Sequence, residues 1–167
     1  MEQLKDAVIK LVEANNYSPA MKDALSLIIK GQVSYLDMKN CLLKHAVTIE
    51  DLKSESLSVV IDYARMCLED DILTEEEIHN ITLLKMFLRI QEGEFYEHRK
   101  EEVSAILSKQ LKRMYQDNVI DKDEALMKTD LQGLFNLSFD QFLGIVNNIA
   151  LEALDRGANI KDLDTFM

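Results

Sequence analysis

The segment Asp70-Asp71-Ile72-Leu73-Thr74-Glu75-Glu76-Glu77 is echoed 47 positions later by Asp117-Asn118-Val119-Ile120-Asp121-Lys122-Asp123-Glu124. The alignment then runs without a gap through Thr82 and Thr129, Leu84 and Leu131, and Leu88 and Phe135, and it ends with Phe95 on Phe142. A period of this length matches one supersecondary unit, which cannot bury its apolar face alone and stacks on its copy. The chain therefore reads as an internal duplication, and the copied unit must be one that buries a shared core.

That unit is helical. One Pro and five Gly in 167 residues leave few turn formers, while helix formers abound. Leu4, Ala7, Val8, Leu11 and Val12 form one apolar stripe, and Ser18-Pro19 opens a second helix carrying Met21, Ala24, Leu25 and Ile28 that Gly31 stops. Ser34-x-x-Asp37 and Thr48-x-x-Asp51 each mark a start, and a stripe from Leu52 to Leu68 leads into the first copy. Thr74 with Glu77, and Asp121 with Glu124, have capping-box spacing, with Leu73 placed to staple onto Ile78. A long helix from Glu94 to Tyr115 joins the copies, and Ser138-x-x-Gln141 caps the last helix. The expectation is an all-α chain of seven or eight helices in one compact bundle. Residues 1–46 read as a helical extension packed on the core, and residues 47–167 as the duplicated domain.

The net charge of −11 is uneven, because residues 1–46 hold six Lys/Arg and five Asp/Glu, which leaves a net −12 for residues 47–167. Such a field repels nucleic acid phosphates and anionic lipid and favours a basic protein partner or a cation. No apolar run approaches the roughly 20 residues that cross a bilayer, and the first residues lack the order of a signal peptide, so a cytoplasmic protein is expected. Cys41 and Cys67 lie within apolar helical patterns, and they read as buried reduced thiols. Oligomeric state is not written in the pattern.

The acidic turns admit two readings. Carboxylates at helix starts cap free amides and complement the helix dipole; they are also the oxygen ligands that calcium or magnesium takes. On the second reading the metal candidates are Asp70, Glu77, Asp117 and Glu124, while Glu75, Glu76, Asp121 and Asp123 are the candidates for partner binding. The EF-hand pattern fails, since Val119, Lys122 and Lys128 occupy the places of a ligand, the invariant Gly and the bidentate Glu. Glu76-x-x-His79 has the spacing of a di-iron carboxylate bundle, but the second copy offers Asp123 and Leu126 instead, so a carboxylate-bridged metalloprotein is the weakest reading. Nucleophile elbows, phosphate-binding Gly loops and zinc-ligand series are missing, so nothing points to an enzyme. Met86, Phe87, Met114, Phe135 and Phe139 keep helical spacing and are expected in the core.

Asp70, Leu73 and Glu77, and again Asp117, Ile120 and Glu124, resemble the signature turn of TerB-like tellurite-resistance domains, and residues 134–142 are similar to that family's linker before a helix. The family's usual Gly is Asp71 and Asn118 here. The resemblance covers roughly residues 57–156. It implies a duplicated helical core and a non-enzymatic module of stress, tellurite-resistance or phage-defence assemblies, in some cases with a divalent cation at acidic positions. The charge supports an alternative, an immunity, antitoxin or inhibitor protein that blocks a basic nuclease or another nucleic-acid-binding enzyme.

Overall fold

Capping residues and left-handed turns divide the chain into helices. The computed structural model describes residues 2–69, 73–114 and 129–155, and every regular element among them is helical: α1 (Glu2–Ala14), α2 (Pro19–Lys30), α3 (Tyr35–Lys44), α4 (Lys53–Cys67), α5 (Glu75–Phe87), α6 (Glu94–Met114), α7 (described over 129–134) and α8 (Phe139–Asp155). The all-α expectation is met. Backbone contacts divide the chain into two units, Met1–Gln91 and Glu92–Met167.

In the first unit α1 packs on α2 and α4, α2 on α3, and α4 on α5. Residues 1–46 thus supply three helices that share this unit with α4 and α5. Val8 and Leu11 of α1, Met21 and Leu25 of α2, Leu57 and Ile61 of α4, and Ile81 and Leu84 of α5 are all fully or almost fully buried. Three polar contacts fix the start of α2 to α4: Tyr17 Oη donates to Asp62 Oδ2 (2.8 Å), Ser18 N donates to Glu55 Oε1 (2.6 Å), and the Ser18 hydroxyl donates to Glu55 Oε2 (2.5 Å). Ser54-Glu55-Ser56 therefore does not break α4; Glu55 lies in its first turn and reaches back to the α2 cap. Thr48 and Asp51 form reciprocal bonds, but they close a tight turn over residues 49–52, and α4 begins only at Lys53.

The second unit packs α6 on α8, and Phe95 meets Phe135 edge to face with ring centroids 5.5 Å apart. Val103, Leu107, Leu111 and Leu131 of this unit are also fully buried. The long helix expected from Glu94 to Tyr115 is interrupted at Arg99, whose φ of −138° and ψ of 25° leave the helical region. Its neighbours His98 and Lys100 are neither Pro nor Gly, so the sequence carries no kink signal there.

Two helix ends 47 positions apart share a set of backbone hydrogen bonds. After α5, Arg89 adopts a left-handed φ of 54°; its N–H donates to Met86 O (3.2 Å) and the Ile90 N–H to Lys85 O (2.9 Å). After α7, at an offset of 47, Asn136 has φ 48°, its N–H donates to Gly133 O (3.2 Å), and the Leu137 N–H donates to Gln132 O (3.2 Å). This bond pair is the Schellman ending of a helix. The same turn occurs twice more: after α2, where Gly31 (φ 72°) bonds Ile28 O at 3.0 Å and Gln32 bonds Leu27 O at 2.8 Å, and after α3, where Ala46 (φ 52°) bonds Leu43 O and Val47 bonds Leu42 O, both at 3.1 Å. Where the left-handed residue is not Gly, an apolar residue follows it: Val47, Ile90 or Leu137. The helices α3, α5 and α7 thus end in one kind of closing turn. The acidic turn of the second copy lies outside the described residues.

Two expected core residues are instead exposed. Met86 is 71% exposed, because it stands on the face of α5 opposite Leu84 and next to the buried Lys85. Phe139 is 64% exposed, because it is the first residue of α8 and precedes the turn in which Phe142, Ile145 and Val146 become buried. Phe135 is buried as expected and Phe87 half-buried, while the Met114 side chain lies outside the described set.

Candidate functional site

Thr74 opens α5 with extended backbone (φ −79°, ψ 153°), which leaves its hydroxyl free to accept from the Glu77 N–H at 3.3 Å. One Glu77 oxygen, Oε2, takes both the Thr74 N–H (2.9 Å) and the Thr74 hydroxyl (2.8 Å). Glu77 is therefore engaged in a complete capping box. Glu75 and Glu76, on the same first turn, are exposed, and neither makes a hydrogen bond or ion pair with a described residue. Asp70, Asp117, Asp121, Asp123 and Glu124 lie outside the described residues. Of the eight expected site residues, the structure thus places three, and it separates them into one capping carboxylate and two unengaged ones.

His79 is exposed, like Glu76. Among the described residues no three His, Cys, Asp or Glu side chains converge as a group that would hold a metal ion.

Behind the α5 cap lies a pocket of about 270 Å³, bounded by Asp6 and Lys10 of α1, Tyr63, Met66 and Cys67 of α4, and Glu77. Next to Tyr63 sits the fully buried Asn80, whose Nδ2 donates to Tyr63 Oη at 3.3 Å and whose Oδ1 has no described partner. Burial is the main force that pushes the Tyr63 phenol well above its ordinary range, aided by the neighbouring Cys67 and Glu77. Tyr63 is thus held protonated and acts as a structural hydrogen-bonding group.

A second constellation joins residues far apart in sequence. Asp23 Oδ2 on α2 accepts from Lys44 Nζ at 2.5 Å and meets His45 Nε2 at 2.8 Å, beside a pocket of about 320 Å³ that Cys41 also lines. The hydrogen bond from Lys44, and then that from His45, hold the Asp23 carboxyl below its ordinary range. Burial, reinforced by Asp23, pushes the Cys41 thiol up, which disfavours the thiolate a nucleophile needs. This cluster ties α3 to α2 and offers no activated nucleophile. Separations of 21 and 22 positions gave no local pattern by which the sequence could reveal it.

Lys85, on the buried side of α5, is only 7% exposed, and desolvation lowers its pKa to about 8. No helix among the described residues is long and apolar enough to cross a membrane. Compared with protein-family models, curated proteins and solved structures, the chain matches none.

Proposed function

We propose that this protein is a non-enzymatic helical interaction module that engages a partner with a basic surface through exposed carboxylates, in the manner of TerB-like components of stress, tellurite-resistance or phage-defence assemblies. The observation that carries this reading is the contrast within one helical turn: Glu77 is engaged by its own cap, whereas Glu75 and Glu76 project unengaged from a chain of net charge −11. Unpaired surface carboxylates gain little for the fold, and they are available to steer and orient a cationic partner.

The test is capture from an extract of the native host at two salt concentrations, with wild-type protein and the double variant Glu75→Lys, Glu76→Lys. The expected result is a basic protein captured by the wild type, weakened by salt and lost with the charge reversal. Capture that ignores both salt and reversal overturns the reading. Calorimetric titration with calcium and with magnesium tests the divalent-cation reading of the acidic turns: heat that Glu77→Gln removes supports it, and the absence of heat eliminates it.

A further inference from the structure

The apolar residues of α3 point in two directions. Met38 and Cys41 are buried against Ala24 of α2, with Leu27, Leu42 and Phe87 packed around them. Tyr35, Leu36 and Leu43 face outward, 64%, 61% and 66% exposed, and Val33 just before the helix is 50% exposed. Four of the seven large exposed apolar residues of the described chain thus fall within residues 33–43. Isolated exposed apolar side chains are ordinary; a cluster on one helix face marks a surface that another molecule covers.

The face has a groove and a charge. Tyr35, Met38, Leu42, Leu43, Val47 and Ile49 supply the apolar lining of a cleft of about 230 Å³. Its charged lining residues are Lys39 and Arg89, and no lining residue is acidic, on a chain with 30 Asp and Glu. Lys39 stands one helical turn from both Tyr35 and Leu43, and it makes no ion pair or hydrogen bond with a described residue. The Arg89 guanidinium lies 4.9 Å from the centroid of the Tyr35 ring, a cation–π contact that leaves it without a described carboxylate partner. Of the acids closest in sequence, Asp37 and Asp51 accept from Ser34 and Thr48, and Glu50 pairs with Lys53 at 3.9 Å.

We infer that the α3 face is a docking groove for an amphipathic segment of a partner protein, whose apolar side chains enter the cleft and whose carboxylates meet Lys39 and Arg89. Grooves of this kind read a helix through anchors at i, i+4 and i+7. The chemistry is the reverse of that proposed for Glu75 and Glu76, so the two surfaces serve different partners, or different parts of one, and they fail independently.

A random library of 16-residue peptides displayed on phage, selected on the full chain, tests the inference. The expected result is a family that combines Leu, Ile or Phe at helical spacing with Asp or Glu. Its members should bind at least about tenfold more weakly to Leu36→Ser, Leu43→Ser protein and to Lys39→Glu, Arg89→Glu protein, and unchanged to Glu75→Lys, Glu76→Lys protein. The substituted side chains are exposed, and thermal melts matching wild type verify that the fold is kept. A selection without acidic bias, or peptides indifferent to the Leu36 and Leu43 changes, overturns the inference. So does sedimentation that shows wild-type protein self-associating through this face and the Leu36→Ser, Leu43→Ser variant monomeric, since a second copy would then be the occupant.

Discussion

Arg89 and Asn136 stand 47 positions apart and hold the same left-handed backbone, with φ of 54° and 48°, at the ends of corresponding helices. Neither is Gly, although Gly is the residue that reaches this conformation without a steric penalty. The turn is therefore specified by its surroundings as well as by the local residue: the apolar side chain that follows, Ile90 or Leu137, is 6% or 5% exposed. Burial of that residue pulls the chain through the left-handed position.

The third such turn at a residue other than Gly gives the cleanest measurement of this balance. Ala46 has φ 52° and is exposed, so its methyl group contributes strain and little packing. Left-handed backbone costs a residue with a Cβ roughly 1–2 kcal/mol, part of which Gly returns as unfolded-chain entropy. Urea denaturation of Ala46→Gly is expected to show a gain of about 0.5–1 kcal/mol and that of Ala46→Val a loss of similar or larger size.

The α5 cap predicts a hierarchy among adjacent residues. Thr74→Ala removes the acceptor of the Glu77 N–H and is expected to cost about 1 kcal/mol. Glu75→Gln and Glu76→Gln, which break no described contact, should each stay within about 0.5 kcal/mol of wild type. Equal losses at all three positions in chemical denaturation would contradict the division of labour described for this turn.

The titration of Lys85 predicts an unusual rise in stability with pH. Its ammonium pKa is lowered from 10.5 to about 8 by burial, so between these values the unfolded chain binds the proton that the folded protein has released. Stability then increases with pH, and the cost of charging Lys85 in the fold is fully present below about pH 8. Tyr17 and Tyr63 act in the opposite sense, because burial raises both phenols above 10, and their contribution is lost as pH climbs past that value. Denaturation midpoints are therefore expected to increase from pH 7 to about 9.5 and to fall beyond 10. Lys85→Met should lack the rise.

Much of the fold was legible because its boundaries are written locally. Ser18 before Pro19, Gly31, Ser34 with Asp37, Thr74 with Glu77, and Ser138 with Gln141 act within three or four residues, and all do what their spacing implies. What was hidden depends on direction or distance. Met86 and Phe139 keep helical spacing yet face outward, since spacing fixes a face only relative to its neighbours and not to the core. The Arg99 kink carries no Pro or Gly, and the Asp23 contacts join α2 to the end of α3. At the candidate site, the capping role of Glu77 was readable from its spacing to Thr74. The freedom of Glu75 and Glu76 was not, because it depends on which cations the fold brings near. The outward stripe of α3 was masked by its inward one, for both sets are apolar within ten residues.

The repeated closing turn also bears on how such a chain lengthens. Because Arg89 and Asn136 hold the same left-handed backbone with the same bond pair, removing the 47 residues between equivalent points would join a helix end to a connection already shaped to receive it. Recombination within the gene could then add or delete one such segment with no new junction to invent, and variants differing by whole segments would be the natural products of such events.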